Sequence, residues 1–135
     1  MPKTSEGVQN FMGRERLASF VTVAFNNKPH IVPVFFTYED GRVFVQTDRT
    51  SAKVRNLMQN SNVAVAVYRD EEAVVINGKA RVIEDKGEFM KRTQDHVDKY
   101  RLRLNAEGED SLGIPLFDRS IRCVVEIKAE KVRFW

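Results

Sequence analysis

Leu17-Ala18-Ser19-Phe20-Val21-Thr22-Val23-Ala24-Phe25 runs through Asn26-Asn27-Lys28-Pro29 into His30-Ile31-Val32-Pro33-Val34-Phe35-Phe36-Thr37-Tyr38, and this stretch decides the fold. Alternation puts Leu17, Ser19, Val21, Val23 and Phe25 on one face and Ala18, Phe20, Thr22 and Ala24 on the other. A period of two marks a strand, and two apolar faces suit a strand in a closed or covered sheet. Asn26 to Pro29 is turn chemistry, and the β-branched and aromatic run His30 to Tyr38 returns as a second strand. Pro33 interrupts that run. Proline cannot donate to a ladder, so the strand lies at an edge or is splayed from its neighbour there. A splayed strand leaves free backbone groups and a gap, and a flat ring with an amide edge can use both.

Outward from this hairpin the meander continues. Asp40-Gly41 punctuates, and Arg42 to Thr47 reads as a third strand. Asn62 to Arg69 is another, with Val63, Val65 and Val67 on one face and the small Ala64 and Ala66 on the other. Small residues there serve tight barrel packing or let something approach closely. Ala73 to Glu84 is a longer strand, in which Asn77-Gly78 reads as a bulge or bend. Ile121 to Ala129 and Lys131 to Trp135 complete the set as two strands or one long one.

Two helices interrupt. Ser51 to Gln59 carries Val54, Leu57 and Met58 at helical spacing behind a Ser51 cap. Gly87 to Leu104 gathers Phe89, Met90, Thr93, Val97, Tyr100 and Leu104 into an apolar stripe, with Lys91, Arg92, Asp95, Asp98 and Arg101 outside it. Asn105 to Ser120 reads as a surface loop. The expected fold is mainly β with two helices, a six-stranded antiparallel Greek-key split β-barrel in one domain over 1–135.

Composition narrows the function classes. Hydrophobic residues make up 42% and charged residues 30%, the balance of a folded globular chain. A net charge of +3 from 22 bases against 19 acids, evenly spread, does not argue for a nucleic-acid partner. One cysteine, Cys123, permits no intrachain disulfide and suggests a reducing compartment. Apolar runs are too short for a membrane-spanning helix, and Met1 to Gly7 lacks the apolar core of a signal peptide, so a cytoplasmic protein is expected. Two histidines and one cysteine, far apart, make a dedicated metal site unexpected.

Nucleophile elbows, P-loops and dinucleotide fingerprints are absent from the sequence. His30 reads as a rim histidine, His96 as a helix-edge residue and Cys123 as a small core residue. Reactivity, if there is any, is expected from a cofactor. Thr47-Asp48-Arg49-Thr50-Ser51-Ala52-Lys53-Val54-Arg55-Asn56 stands apart, because it carries the chain from a strand end into a helix start. Free N–H groups and the positive end of the helix dipole welcome an anion there. Ser51 adds a hydroxyl, Lys53 an ammonium, and Arg49 and Arg55 further charge, so a phosphate monoester would find three kinds of donor together. An ordinary capped helix with solvated basic residues is the alternative.

The ordered series Leu17-Ala18-Ser19-Phe20-Val21, Lys28 to Val34, Gly41 to Thr47, Ser51 to Leu57, Asn62 to Val65 and Asn77 to Ala80 resembles the pyridoxamine 5′-phosphate oxidase-like family of FMN-binding split barrels. The resemblance implies a homodimer with FMN at the subunit interface. It implies that Val32, Pro33, Val34 and Phe35 line the isoalloxazine ring and that Gln46 and Thr47 contact the ribityl or phosphate end. It further implies that Ser51, Ala52 and Lys53 form the phosphate turn, in which Ala52 stands where arginine is frequent, with Arg49 or Arg55 as substitutes. Trp135 would reach the partner's flavin. The named oxidase has arginine and histidine for its substrate's phosphate beyond that Trp, and a flavin-contacting glutamine where Ala73 stands here. The implied function is therefore an FMN-dependent oxidoreductase acting on a small molecule other than pyridoxamine phosphate. A deazaflavin cofactor, a non-enzymatic flavin or haem binder, and a cofactor-free interaction module are the alternatives.

Overall fold

The computed structural model describes residues 4–134. Its elements are α1 (Ser5–Arg14), β1 (Ala18–Val23), β2 (Pro29–Val34), β3 (Thr37–Glu39), β4 (Arg42–Asp48), α2 (Ala52–Gln59), β5 (Asn62–Arg69), β6 (Glu72–Val82), α3 (Lys86–Tyr100) and β7 (Arg122–Phe134). The strands form one antiparallel sheet in the order β2-β1-β5-β6-β7-β4-β3. The run β5-β6-β7-β4, in which β4 returns beside the end of a three-strand meander, is the Greek-key order.

The two edges of this sheet are consecutive in the chain. β2 ends at Val34 and β3 begins at Thr37, so Phe35-Phe36 alone carries the backbone from one edge to the other. A seven-stranded sheet whose first and last strands are two residues apart must curl until its edges nearly meet. That is a split barrel, and the split lies at Phe35-Phe36.

The interior is filled by every second residue of the strands. Phe20, Val43, Val45, Val65, Val67, Ile76, Val125 and Ile127 are buried there, and α1 and α2 add Phe11, Met12, Val54 and Leu57. A smaller cluster of Phe44, Ile83, Phe89 and Val124 forms on the other face of the sheet, involving α3. Asp40 and Gly41, both with positive φ, make the two-residue turn between β3 and β4. Gly78 is required for a different reason. A Cβ there would lie 2.1 Å from the Lys128 carbonyl oxygen, where β6 and β7 shift register between Asn77 and Gly78 and leave Glu130 as the extra residue.

Several sequence expectations need correction. There are seven strands and three helices among the described residues, against the expected six and two. The single strand expected over His30 to Tyr38 is broken at the split into β2 and β3. Helix α1 was not foreseen, although Thr4 caps it by accepting the Gly7 N–H at 2.9 Å and Val8, Phe11 and Met12 have helical spacing. The second expected helix ends four residues early, at Tyr100, because Arg101 takes a left-handed conformation with φ 52°. Met90 is partly exposed, while Arg92, expected in solvent, is buried. Its guanidinium lies 4.0 Å from the Phe44 ring centre and bonds Glu39 and Glu88 at 2.7 and 2.9 Å. Ala64 and Ala66 are on the outer face rather than packed in the barrel, half-covered beside Val21 and Val75.

Both edges are protected. In an antiparallel ladder the N–H and C=O of one residue point the same way and alternate along the strand. Pro29 and Pro33 share one direction with Ile31, and prolines fit where no N–H is needed. The free edge of β2 over 29–33 therefore offers only the Ile31 N–H, with the carbonyls of Pro29, Ile31 and Pro33 beside it. At the β3 edge, the Gln9 side chain takes the place of a strand. Its amide donates to the Tyr38 carbonyl at 2.9 Å and accepts the Asp40 N–H at 3.4 Å.

Candidate functional site

A cleft of ≈ 340 Å³ opens at the split, lined by Leu17, Pro33, Val34, Phe35, Val45, Gln46, Thr47 and Lys53. One wall is the end of β2 and the crossing residue Phe35. The other wall is β4, and α2 closes one end with Lys53. The fold thus brings together six of the residues singled out from sequence: Pro33, Val34, Phe35, Gln46, Thr47 and Lys53. Val32 is beside them on β2 but packs against the core, and Ser51 and Ala52 are in the turn that delivers Lys53. Trp135 lies outside the described residues.

Phe35 is half exposed and meets the Tyr100 ring edge-on, with centroids 5.0 Å apart. Tyr100 is itself fixed by the backbone of the split. Its hydroxyl accepts the Phe36 N–H at 2.9 Å and lies 2.9 Å from the Arg16 carbonyl. The apolar end of the cleft is thereby held from behind by α3.

The other end is electropositive and short of partners. Ser51 occupies the cap position of α2 yet makes no cap bond, and its Oγ is buried without a hydrogen-bond partner. Lys53 forms no hydrogen bond or ion pair among the described residues, and burial followed by the positive charge of Arg122 pushes its pKa below the usual lysine range. The nearby Asp48 carboxylate does not neutralise it by contact. It accepts the Thr50 N–H at 2.8 Å and the Thr50 hydroxyl at 2.7 Å, and these bonds lower its pKa. An orphaned buried hydroxyl, an unpaired ammonium and a helix start form a set suited to an anion.

Arg49 and Arg55, the expected extra charges, turn elsewhere. Arg49 donates to the Arg119 carbonyl at 2.9 Å and Arg55 to the Thr50 carbonyl at 2.6 Å, and both line a separate groove with Met58 and Glu84. The partner of Gln46 that the sequence did not point to is Arg122. It enters from the first residue of β7, opposite Asp48 in the ladder, and donates from Nε and Nη2 to Gln46 Oε1 at 3.0 and 2.7 Å. Gln46 in turn donates to the Leu116 carbonyl at 2.5 Å. No local motif marks this pairing, because 76 residues separate its members. Among the described residues no group of three His, Cys, Asp or Glu could hold a metal ion, and no helix is long and apolar enough to cross a membrane.

The fold is a curled split barrel with a cleft that is apolar at one end and carries Lys53 at the other. The family model described as pyridoxamine 5′-phosphate oxidase matches residues 4–135, and the chain belongs to that family. A conserved hypothetical protein from Mycobacterium tuberculosis has a similar structure, with a TM-score of 0.81 at 19% identity over 98% of this chain and 84% of that one. HutZ, the haem storage protein from Vibrio cholerae, aligns with a TM-score of 0.75 at 13% identity over 97% of this chain and 91% of its own. An F420 reductase aligns with a TM-score of 0.71 at 17% identity, covering 93% and 94% of the two chains. At these identities the likeness is one of fold. No curated protein matches the chain in sequence.

Proposed function

We propose that the cleft binds FMN and that the protein is a flavin-dependent oxidoreductase of the cytoplasm, acting on a small molecule other than pyridoxamine phosphate. The observation that carries this reading is the unpaired Lys53 beside the orphaned Ser51 hydroxyl, at one end of a cleft whose other end is apolar. Lys53, Ser51 and the first N–H groups of α2 hold the phosphate. Pro33, Val34 and Phe35 flank the ring, with the outward Pro33 carbonyl as acceptor for a ring N–H. Gln46 and Thr47 contact the chain between ring and phosphate. The residues bind, orient and exclude water, and FMN when bound supplies the hydride or electron transfer.

A second copy of the chain covers the outer face of β1, β2 and β5, where Val21, Ile31, Ala64 and Ala66 leave an apolar surface on a small domain. The structural likeness to an F420 reductase and to a haem storage protein favours a second reading, in which the same cleft takes a deazaflavin or haem. Denaturing the purified protein and identifying the released cofactor by mass decides between them. FMN is the expected result, and a deazaflavin, haem or no cofactor overturns it. Reduction of the bound flavin by NADH or NADPH then separates an enzyme from a binding protein.

A further inference from the structure

We propose that a groove across β4, β7 and β6, on the sheet face that carries Phe44, is a second anion site, built for a small polar molecule with a phosphoryl group. It stands independently of the FMN reading, because β4 meets this groove at its first residue, Arg42, and the cleft at Val45, Gln46 and Thr47.

The groove has a volume of ≈ 490 Å³ and is lined by Arg42, Arg81, Lys128 and Glu126, together with the Asp40-Gly41 turn and Ala129. Sheet register assembles it. Lys128 is opposite Arg42, and two residues before it Glu126 is opposite Arg81 and Phe44, so all of these side chains leave the sheet on one face.

Glu126 is only 5% exposed, and each of its oxygens is engaged. Arg42 Nη1 donates to Oε2 at 3.0 Å, and Arg81 Nε donates to Oε1 at 2.7 Å. One buried carboxylate therefore fixes two guanidiniums and neutralises neither in full. No other hydrogen bond or ion pair engages either guanidinium among the described residues, so the remaining donors of both forks are free. Lys128 is exposed on the same groove and has no hydrogen bond or ion pair among the described residues. The second acid, Asp40, is exposed in its turn.

The geometry selects the class of anion. Three cations rise from three adjacent strands about 4.8 Å apart, so they surround a point and do not form a single fork. A tetrahedral phosphoryl group offers oxygens in three directions, whereas a planar carboxylate serves one fork. Gly41 and Ala129 are the only lining residues without a polar side chain. The rest of the ligand is accordingly polar, unlike a flavin ring.

The test is calorimetric titration of the purified protein with inorganic pyrophosphate at low salt, with succinate as the planar comparison. The wild type is expected to bind pyrophosphate saturably and more tightly than succinate. Lys128→Glu and Arg81→Gln should each weaken it about tenfold or more. Arg81→Gln also loosens Glu126, but Lys128 is exposed and unpaired, so its variant keeps the fold. Lys53→Ala, at the cleft, should leave binding in the groove intact. A wild type that does not bind pyrophosphate, or a Lys128→Glu protein that binds it unchanged, overturns the site. Binding lost in Lys53→Ala and kept in Lys128→Glu assigns the anion to the cleft, and the proposal falls while the FMN reading gains. Equal affinity for succinate overturns the phosphoryl class. Release of a cofactor other than FMN leaves this test untouched.

Discussion

The Tyr100 hydroxyl accepts the Phe36 amide N–H at 2.9 Å, at the point where the backbone leaves one sheet edge for the other. Phe36 has no strand neighbour there, so a side chain 64 residues away takes the place of the ladder. Burial raises the pKa of this phenol, with the Phe36 bond partly opposing. Tyr100→Phe leaves a buried N–H unpaired and should cost about 1–3 kcal/mol, read as a lower urea midpoint. Because Tyr100 also supports Phe35 in the cleft, cofactor affinity should fall with it. An unchanged midpoint would mean that water replaces the hydroxyl.

Lys53 tests the phosphate end directly. Loss of a charge-assisted bond in a partly desolvated site is worth about 1.5–3 kcal/mol, so Lys53→Ala should weaken FMN roughly 10- to 150-fold. Riboflavin lacks the phosphate and should barely respond. Ser51→Ala should weaken FMN less, by about one neutral hydrogen bond. It should cost the apoprotein little helix stability, because the Ser51 side chain makes no cap bond. Titration of apoprotein with both ligands gives the contrast, and equal losses would point to unfolding.

Gly78→Ala places a methyl 2.1 Å from the Lys128 carbonyl oxygen and 2.9 Å from its carbon, both backbone atoms. The β6–β7 bulge must open to admit it. The expected cost is about 1–3 kcal/mol or more, measured by chemical denaturation. A neutral effect would show that β7 shifts freely at Glu130.

His96 gives an acid-side signature. Burial, then the charges of Arg122 on β7 and Lys99 on its own helix, push its pKa down from 6.5 to about 4, with Asp110 in the following loop opposing. Below 6.5 the unfolded chain takes up a proton that the folded chain refuses. Stability from this group is therefore complete above pH 6.5 and is lost as pH falls toward 4, by up to about 3 kcal/mol. Thermal melts of wild type and His96→Gln between pH 4 and 7 should converge as pH falls. Parallel curves would place a protonated imidazole in the fold.

Ala66 tests the outer face. It is half-covered in the single chain and neighbours Ser19 and Val75 in the sheet. Light scattering should give a mass near twice 15.6 kDa for the wild type. Ala66→Glu, which would bury a charge in the dimer but not in the monomer, should give the monomer mass with the secondary structure kept. A wild-type monomer that holds its cofactor stoichiometrically would remove the interface.

The alternation of Leu17 to Phe25, the turn at Asp40-Gly41, the bulge at Asn77-Gly78 and the helix start after Ser51 were legible because each is a local steric or pairing rule written in adjacent residues, although the Ser51 side chain makes no cap bond. Pro33 narrowed its strand to an edge or a splayed position, and the sheet order puts it at the edge. The family followed from the order of these pieces. Tertiary structure alone decided that Phe35-Phe36 would be a crossing rather than mid-strand, because that depends on how far seven strands curl. It alone turned Arg49 away to the Arg119 carbonyl and brought Arg122 to Gln46. Hydrogen-bond partners separated by 70 residues or more are chosen by sheet register and burial, and no periodicity in the chain records them.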